Sequence, residues 1–339
     1  MVDTDVLLIG AGGVGTMVAF GMDYTKQSKL SIVVRKDFAK VKETGYDIHS
    51  VDYGTVKGWK PSHIYPTVEA SVATGTVYDF VVITTKNLPD IVKVEELAAP
   101  AITPGHTCVV LIQNGFDLAK PFFDKFPNNV VLSGVTLIGS HNTHGTIHHT
   151  QTDKSFISYF ENPNLPQEVQ EASAKRFVSI YSNDKNSCTY ASSAKEFRYK
   201  KLVYNATLNT VCALTGVDTG RLEQAGGLAA LSIPAMREVI AIAQADGVTL
   251  PKDVINTTIH GDDGEWFEPS MLVDVKRGNP IELEVILGNL LKTAEKLEVE
   301  TPILSVLYEL LRVVQFRLKE KQGIITVPKE RPIYDKVYE

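Results

Sequence analysis

The sequence predicts an α/β chain, with a doubly wound and mostly parallel sheet in the first part and an all-α second part. Three observations predict it. Unbroken apolar or β-branched runs at 6–9, 30–34, 80–84 and 108–112 have the pattern of parallel strands buried on both faces. Helix-forming stretches lie between them, and strand, helix, strand repeated in this way argues for crossover connections. From Ser192 onward, apolar residues recur at helical spacing and β-rich runs nearly vanish.

Taken in order, the run at 6–9 is followed by a helix over 13–23, the run at 30–34 by one over 36–44, and the run at 80–84 by one over 89–98. Segments 130–138, 145–150 and 155–160 read as further strands ahead of a helix at 166–181. In the second part, Gly216, Gly226-Gly227, Gly247 with Pro251, Gly278-Asn279-Pro280 and Thr301-Pro302 are stop and start signals between helices, the last running over 302–319. The expected division is therefore 1–190, 191–322 and a polar tail over 323–339.

Length and charge bound the function. A single core stops growing at roughly 250–300 residues, so 339 residues suggest two domains. With 34 basic against 40 acidic side chains the net charge is −6, which supplies no general attraction for a phosphate backbone and argues against nucleic acid as the main partner. Cys108, Cys188 and Cys212 are scattered and odd in number, the usage of a reduced intracellular chain. No stretch approaches the ~20 apolar residues of a membrane span. The start Met1-Val2-Asp3-Thr4-Asp5 lacks the basic and apolar regions of a signal peptide, so a cytoplasmic location and no membrane partner are expected.

The most informative local pattern is Gly10-Ala11-Gly12-Gly13-Val14-Gly15, which follows the first strand and opens the first helix. A pyrophosphate needs close backbone approach and free amide donors at a helix N-terminus, and glycines 10, 12 and 15 provide for both. A merely glycine-rich turn is the plainer reading. The second strand ends in Arg35, twenty residues after Gly15, where an Arg favours a 2′-phosphate and hence NADP(H) over NAD(H); a solvated Arg at a helix start is the alternative. Lys86 and Asn114 close the next two strands at the same edge, as cofactor-facing groups or as ordinary turn residues.

Lys201, Asn205 and Asn209 recur at i, i+4 and i+8, which places them in one polar stripe if a single helix carries all three. Asn is a poor choice for a solvated helix face, so the stripe reads as the lining of a cleft, against a plain wet face. Asn279-Pro280-Ile281-Glu282 has N-cap, N1 and N3 residues in place, so Glu282 reads locally as a helix-capping carboxylate. His141, His144, His148 and His149 fall within nine residues but lack a nearby Cys or spaced carboxylate; they read as surface or strand-edge histidines, with no metal expected. Segment 260–267 reads as a solvated loop, or as a lid carrying Trp266 and Phe267.

Together the Gly10–Gly15 loop, Arg35, Thr85-Lys86, Gln113-Asn114-Gly115, the Lys201, Asn205 and Asn209 spacing, Ser270-Met271-Leu272 with Asp274, Glu282 and Thr301-Pro302 make the chain resemble the ketopantoate reductase family over nearly its whole length. The resemblance implies an N-terminal Rossmann domain and an all-α C-terminal domain of the 6-phosphogluconate dehydrogenase C-terminal-like type, with the active site between them. It implies NADPH-dependent reduction of 2-dehydropantoate, with Lys201 as general acid and Glu282 orienting the substrate. Asn205, Asn209 and Ser270 would hold the substrate, Asn114 would lie between nicotinamide and substrate, and Arg35 with Lys86 would hold the 2′-phosphate. Glu282 and Asn114 would also border the cofactor, beside the loop residues Gly10, Ala11, Gly12, Gly13, Val14 and Gly15. The chain departs from the family pattern at Pro269-Ser270-Met271 and at Val285-Ile286-Leu287-Gly288, where Tyr-Ile-Asn-Gly is usual. Reduction of another branched 2-oxo acid, or a non-catalytic NADP-sensing role, are the alternative functions. A homodimer is compatible with the sequence, which does not fix the oligomeric state.

Overall fold

The computed structural model describes residues 4–333. Residues 1–3 of the acidic start and residues 334–339 of the expected polar tail lie outside the described residues. The first part runs β1 (Thr4–Ile9), α1 (Gly13–Thr25), β2 (Ser28–Val33), α2 (Phe38–Thr44), β3 (Tyr46–Ser50), β4 (Gly54–Trp59), β5 (His63–Tyr65) and α3 (Val68–Val72). It continues with β6 (Phe80–Ile83), α4 (Val94–Ala98), β7 (Cys108–Leu111), α5 (Lys120–Lys125), β8 (Val131–Thr143), β9 (Thr146–Tyr159), α6 (Gln167–Tyr181) and β10 (Ser187–Tyr190). The strands form one sheet in the order β4-β3-β9-β8-β7-β6-β1-β2-β5, with β10 alongside β9. β1 lies between β2 and β6, parallel to both, and among the described residues only β3 with β4 and β8 with β9 pair antiparallel.

Apolar strands buried on both faces divide their side chains by the period of two. Val6 and Leu8 of β1, with Val110 of β7, enter one core beneath α1 and α6, beside Met17 and Phe177. Leu7, Ile9, Val109 and Leu111 enter the other, together with Val94 and Phe122.

The second part is helical: α7 (Ala194–Asn205), α8 (Leu208–Thr215), α9 (Thr219–Gln224), α10 (Ile233–Ala245), α11 (Val254–Ile259), α12 (Ser270–Arg277), α13 (Asn289–Lys296) and α14 (Pro302–Lys321). Short π-helical turns, Leu228–Ser232 and Glu284–Gly288, lead into α10 and α13. Leu202, Met236, Leu272, Ile286 and Leu311 from these helices join the same core as Leu7 and Ile83 of the sheet. Strands end at Tyr190 and helices begin at Ala194; we propose the domain boundary in that connection.

Several expectations are corrected. The two strands expected at 145–150 and 155–160 are one 14-residue strand, β9. The polar stretch between them stays extended because β8 supplies partners along it, Gly139 facing Gln151 and Leu137 facing Lys154, and because Asp153 is buried on Ser155 Oγ at 2.8 Å. The helix expected over 89–98 is confined to α4. Asp90 instead accepts from Gln315 Nε2 at 3.1 Å and pairs with Lys319 Nζ at 2.5 Å, tying this turn to α14. The short strands β3, β4, β5 and β10, and helices α3 and α5, lack a long apolar run and were not anticipated. One continuous helix, Leu228–Ala245, does have the length and composition of a membrane span; its Ala235, Met236, Val239, Ile242 and Ala243 are buried in the protein core.

Candidate active site

The carboxyl ends of β1, β2, β6 and β7 form one edge of the sheet, where ligands of open α/β folds bind. The turn after β1 is built by close approach. Gly10 has φ +115°, and a Cβ there would lie 2.5 Å from Thr85 N. A Cβ on Gly15 would lie 2.0 Å from the Gly10 carbonyl oxygen, which accepts from Thr84 Oγ1 at 2.7 Å. Gly12 differs: it is exposed, nothing lies within 4 Å of its Cβ direction, and it is the N-cap of α1 with no side-chain cap. The first-turn N–H groups of Gly13, Val14 and Gly15 are thus left uncapped by any side chain at the positive end of a helix, an arrangement that fits a pyrophosphate. Neighbouring Gly13 packs directly on β8, its Cβ direction 2.4 Å from Ser140 O, and Asn142 Nδ2 donates to Ala11 O at 3.3 Å.

Arg35 is exposed just beyond β2, on the opposite side of β1 from Lys86. Two residues on is a carboxylate that the sequence reading passed over: Asp37 accepts from Asn142 Nδ2 at 3.1 Å and so joins α2 to the β8 strand end. Lys86, beyond β6, is ion-paired with Asp274 of α12. The pair borders a cleft of about 300 Å³ lined also by Leu88, Asn279 and Pro280. Burial pushes the Asp274 carboxyl upward, opposed by the Lys86 charge.

Glu282 does not cap a helix start as its local sequence suggested. The helical turns begin after it, and its buried carboxylate accepts from the Asn87 backbone N–H at 2.9 Å across the domain connection. Burial pushes Glu282 upward, while Lys86, the Asn87 N–H and the Asn114 side chain pull the other way. Asn87 itself is set by Gln113, whose Nε2 donates to Thr85 O at 2.7 Å and whose Oε1 accepts from Asn87 Nδ2 at 3.4 Å.

The expected single stripe of Lys201, Asn205 and Asn209 is broken, because α7 ends at Asn205 and α8 begins at Leu208. Lys201 is half-buried, its ammonium donating to Thr136 O of β8 at 2.6 Å. It shares a small cavity with Asn205, Arg198, Leu202 and Gly115, the residue after Asn114. Burial first, and the neighbouring Arg198 second, bring the Lys201 pKa down to about 8, with Glu282 acting in the opposite sense. Asn209 is buried and committed to α12: its Oδ1 accepts from Met271 N at 2.8 Å and its Nδ2 donates to Ser270 Oγ at 3.2 Å. Ser270 is exposed at the start of that helix.

Arg198 is a second residue missed by the sequence reading, although it precedes Lys201 by three positions, one helical turn. The histidine cluster divides. His141 stacks on His148, with centroids 4.9 Å apart, and His148 on His49, whereas His149 is not at the surface but buried, with Nδ1 2.8 Å from Ser50 Oγ. In the 260–267 segment, Trp266 lies over the Arg221 guanidinium at 4.7 Å, and Phe267 O accepts from Thr219 N at 3.1 Å. Both contacts tie the segment to α9.

Two family models match the chain: "Ketopantoate reductase PanE/ApbA" over residues 6–162 and "Ketopantoate reductase PanE/ApbA C terminal" over residues 194–315. A protein of Saccharomyces cerevisiae, itself uncharacterised, is 39% identical over 94% of this chain and 96% of its own length. The crystal structure of 2-dehydropantoate 2-reductase from Methylococcus capsulatus superposes with a TM-score of 0.79 at 27% identity, covering 93% of this chain and 97% of that one. A D-mandelate dehydrogenase solved with NADH and anilino(oxo)acetate has the same TM-score at 19% identity over 93% of this chain and 100% of that one, a likeness of fold.

Proposed function

The chain belongs to the ketopantoate reductase family of oxidoreductases, and from that premise we propose that it reduces 2-dehydropantoate to (R)-pantoate with NADPH. The observation that carries the reading is Lys201, a half-buried ammonium with depressed proton affinity, held beside Asn205 and the Asn114–Gly115 turn. Bound at the Gly10–Gly15 turn, NADPH would supply a hydride to the 2-oxo carbon. As that bond forms, the carbonyl oxygen of the substrate becomes an alkoxide, and the Lys201 ammonium stabilises it and delivers the proton. The neutral amine left behind regains a proton from solvent. Asn205 and Ser270 are the groups proposed to hold the substrate hydroxyl and carboxylate, with Asn209 contributing through the Ser270 hydroxyl it is bonded to, and Glu282 to orient the substrate at the cofactor edge.

The uncapped start of α1 supports pyrophosphate binding through Gly10, Ala11, Gly12, Gly13, Val14 and Gly15. Arg35, exposed and free to reach outward, supports a preference for the 2′-phosphate; Lys86 is proposed to assist while balanced by Asp274. Following NADPH absorbance with a panel of 2-oxo acids tests the function. The highest kcat/KM is expected for 2-dehydropantoate.

A second reading is favoured by one specific feature. Val285, Ile286 and Leu287 are buried behind Glu282, where the family pattern carries a polar Asn, so a more apolar branched 2-oxo acid is the alternative substrate. Inactivity toward the whole panel would instead support a non-catalytic NADP-sensing role. A homodimer is proposed on α14, where Val306, Leu310, Val313 and Phe316 are exposed along the helix; light scattering at increasing concentration checks it. Three buried, unpaired cysteines, Cys108, Cys188 and Cys212, support a cytoplasmic location.

A further inference from the structure

Arg198 of α7 is buried, 3% exposed, yet has no carboxylate in ion-pairing distance among the described residues. Its charge is met by neutral oxygens alone. Nε donates to Ser133 Oγ at 2.8 Å, one terminal nitrogen to Gln113 O at 2.5 Å and Gly115 O at 3.2 Å, and the other to Leu111 O at 3.1 Å and Gly134 O at 3.3 Å. A guanidinium has five N–H donors, and here each has an acceptor. The face of the group lies 5.5 Å from the Phe160 ring. Burying an ion without a counter-ion is costly. A lysine could satisfy at most three of those oxygens, and an apolar residue would leave all of them open.

The placement of the five acceptors gives that arrangement its meaning. They come from the last residue of β7, Leu111, from the turn after it and from Ser133 and Gly134 near the start of β8, and two of them, the carbonyls of Gln113 and Gly115 in that turn, flank Asn114. Lys201 follows one helical turn along α7 and lines the same small cavity. We propose that Arg198 is a positioning residue of the active site, fixing the backbone on both sides of Asn114 and presenting an unneutralised positive charge to the Lys201 ammonium. The proposal rests on the reading of Lys201 as proton donor.

The electrostatics around Lys201 point the same way. Two charged groups bear on it: Arg198 on its own helix, which weakens its hold on the proton, and Glu282, which strengthens it. The other groups packed around α7 are spoken for. β8 offers the neutral Thr136 carbonyl, Asp246 after α10 takes Lys195 Nζ at 2.7 Å and the Tyr199 hydroxyl, and Asp262 after α11 takes the Tyr204 hydroxyl at 3.0 Å. Burial pushes the Arg198 guanidinium down from its ordinary value, but with all five N–H groups bonded it stays charged. Like charges lining one small cavity disfavour protonation of the more titratable partner, so the lysine is poised to release its proton.

The test separates charge from grip and does not depend on knowing the substrate. Trace labelling of the whole protein with acetic anhydride at a series of pH values, read at the Lys201 peptide by mass spectrometry, gives the titration midpoint of that amine. In the wild type it is expected near 8, against an ordinary 10.5; a midpoint at the ordinary value overturns the proposal even if no variant folds. Arg198→Lys keeps the charge and loses the five-bond grip, so the midpoint should stay in place while kcat falls ~10-fold with cofactor KM little changed. Arg198→Gln removes the charge and should raise the midpoint by about 1 unit. An unchanged midpoint in a folded Arg198→Gln protein, or an unchanged kcat in Arg198→Lys, overturns it. A shifted midpoint with no turnover of any 2-oxo acid would count against the proposed reaction instead, leaving the coupling of Arg198 to Lys201 standing.

Discussion

The two walls of the cleft are built by different means. On the sheet side, the turn after β1 is a backbone device: glycines let the chain approach itself closely and leave helix N–H groups uncapped, with no catalytic side chain required. On the helical side the proposed site consists of side chains, Lys201, Asn205, Asn209, Ser270 and Glu282, contributed by α7, α8, α12 and the segment that leads into the turn before α13. The difference teaches that the first wall is carried by one contiguous stretch of sequence, whereas the second comes together only by docking. The Asn87–Glu282 hydrogen bond and the Lys86–Asp274 pair both cross from one to the other.

The comparison is broken most severely at Lys201. Lys201→Ala is expected to lower kcat by ~10²-fold or more while NADPH affinity, measured by fluorescence titration, stays nearly unchanged; a parallel loss of both would mean the two walls are not separable. The pH dependence belongs to the same wall. With Lys201 as the proposed proton donor the protonated amine would be the competent form, so kcat should fall as pH rises through the Lys201 value of about 8.

Two glycine substitutions sharpen the contrast within the backbone wall. Gly12→Ala faces open space and should leave the melting temperature in place while weakening NADPH by ~10-fold or more, because the new methyl intrudes where phosphate must approach. Gly15→Ala meets the Gly10 carbonyl and should destabilise the fold by about 1–3 kcal/mol. Smaller still, Arg35→Ala should weaken NADPH by roughly tenfold with little effect on NADH, since about 1.4 kcal/mol of one charge-assisted contact is lost. Equal losses would mean that Arg35 does not read the phosphate. Asp274→Asn is expected to change least, under ~1 kcal/mol in urea unfolding, because Lys86 is substantially exposed and water screens the pair.

The same contrast explains what was legible in the sequence. Gly10 to Gly15 stand side by side, and the strands that flank them are short apolar runs, so the backbone wall could be read from contiguous residues. Spacing also pointed to Lys201 and Asn205, but it overextended the helix to Asn209, because nothing local marks the break at Ala206-Thr207. Glu282 follows Asn279 and Pro280 as a capping carboxylate should, and its real partner is an N–H 195 positions away in sequence. Nothing local distinguishes Arg198, because an Arg on an amphipathic helix is normally solvated; only the converging carbonyls of β7, the turn after it and β8 explain its burial. The merging of two expected strands into β9 is likewise a decision of its partner β8 rather than of its own apolar pattern.

Among the described residues, one face of the sheet is covered within the first part by α3, α4 and α5, and its Leu7, Ile83 and Leu111 share a core with Leu202, Met236 and Leu311 of the helical part. The two parts are therefore expected to fold as a single cooperative unit despite their different architecture. Heat should melt them in one transition, and either part produced alone would expose an apolar face and be driven toward aggregation.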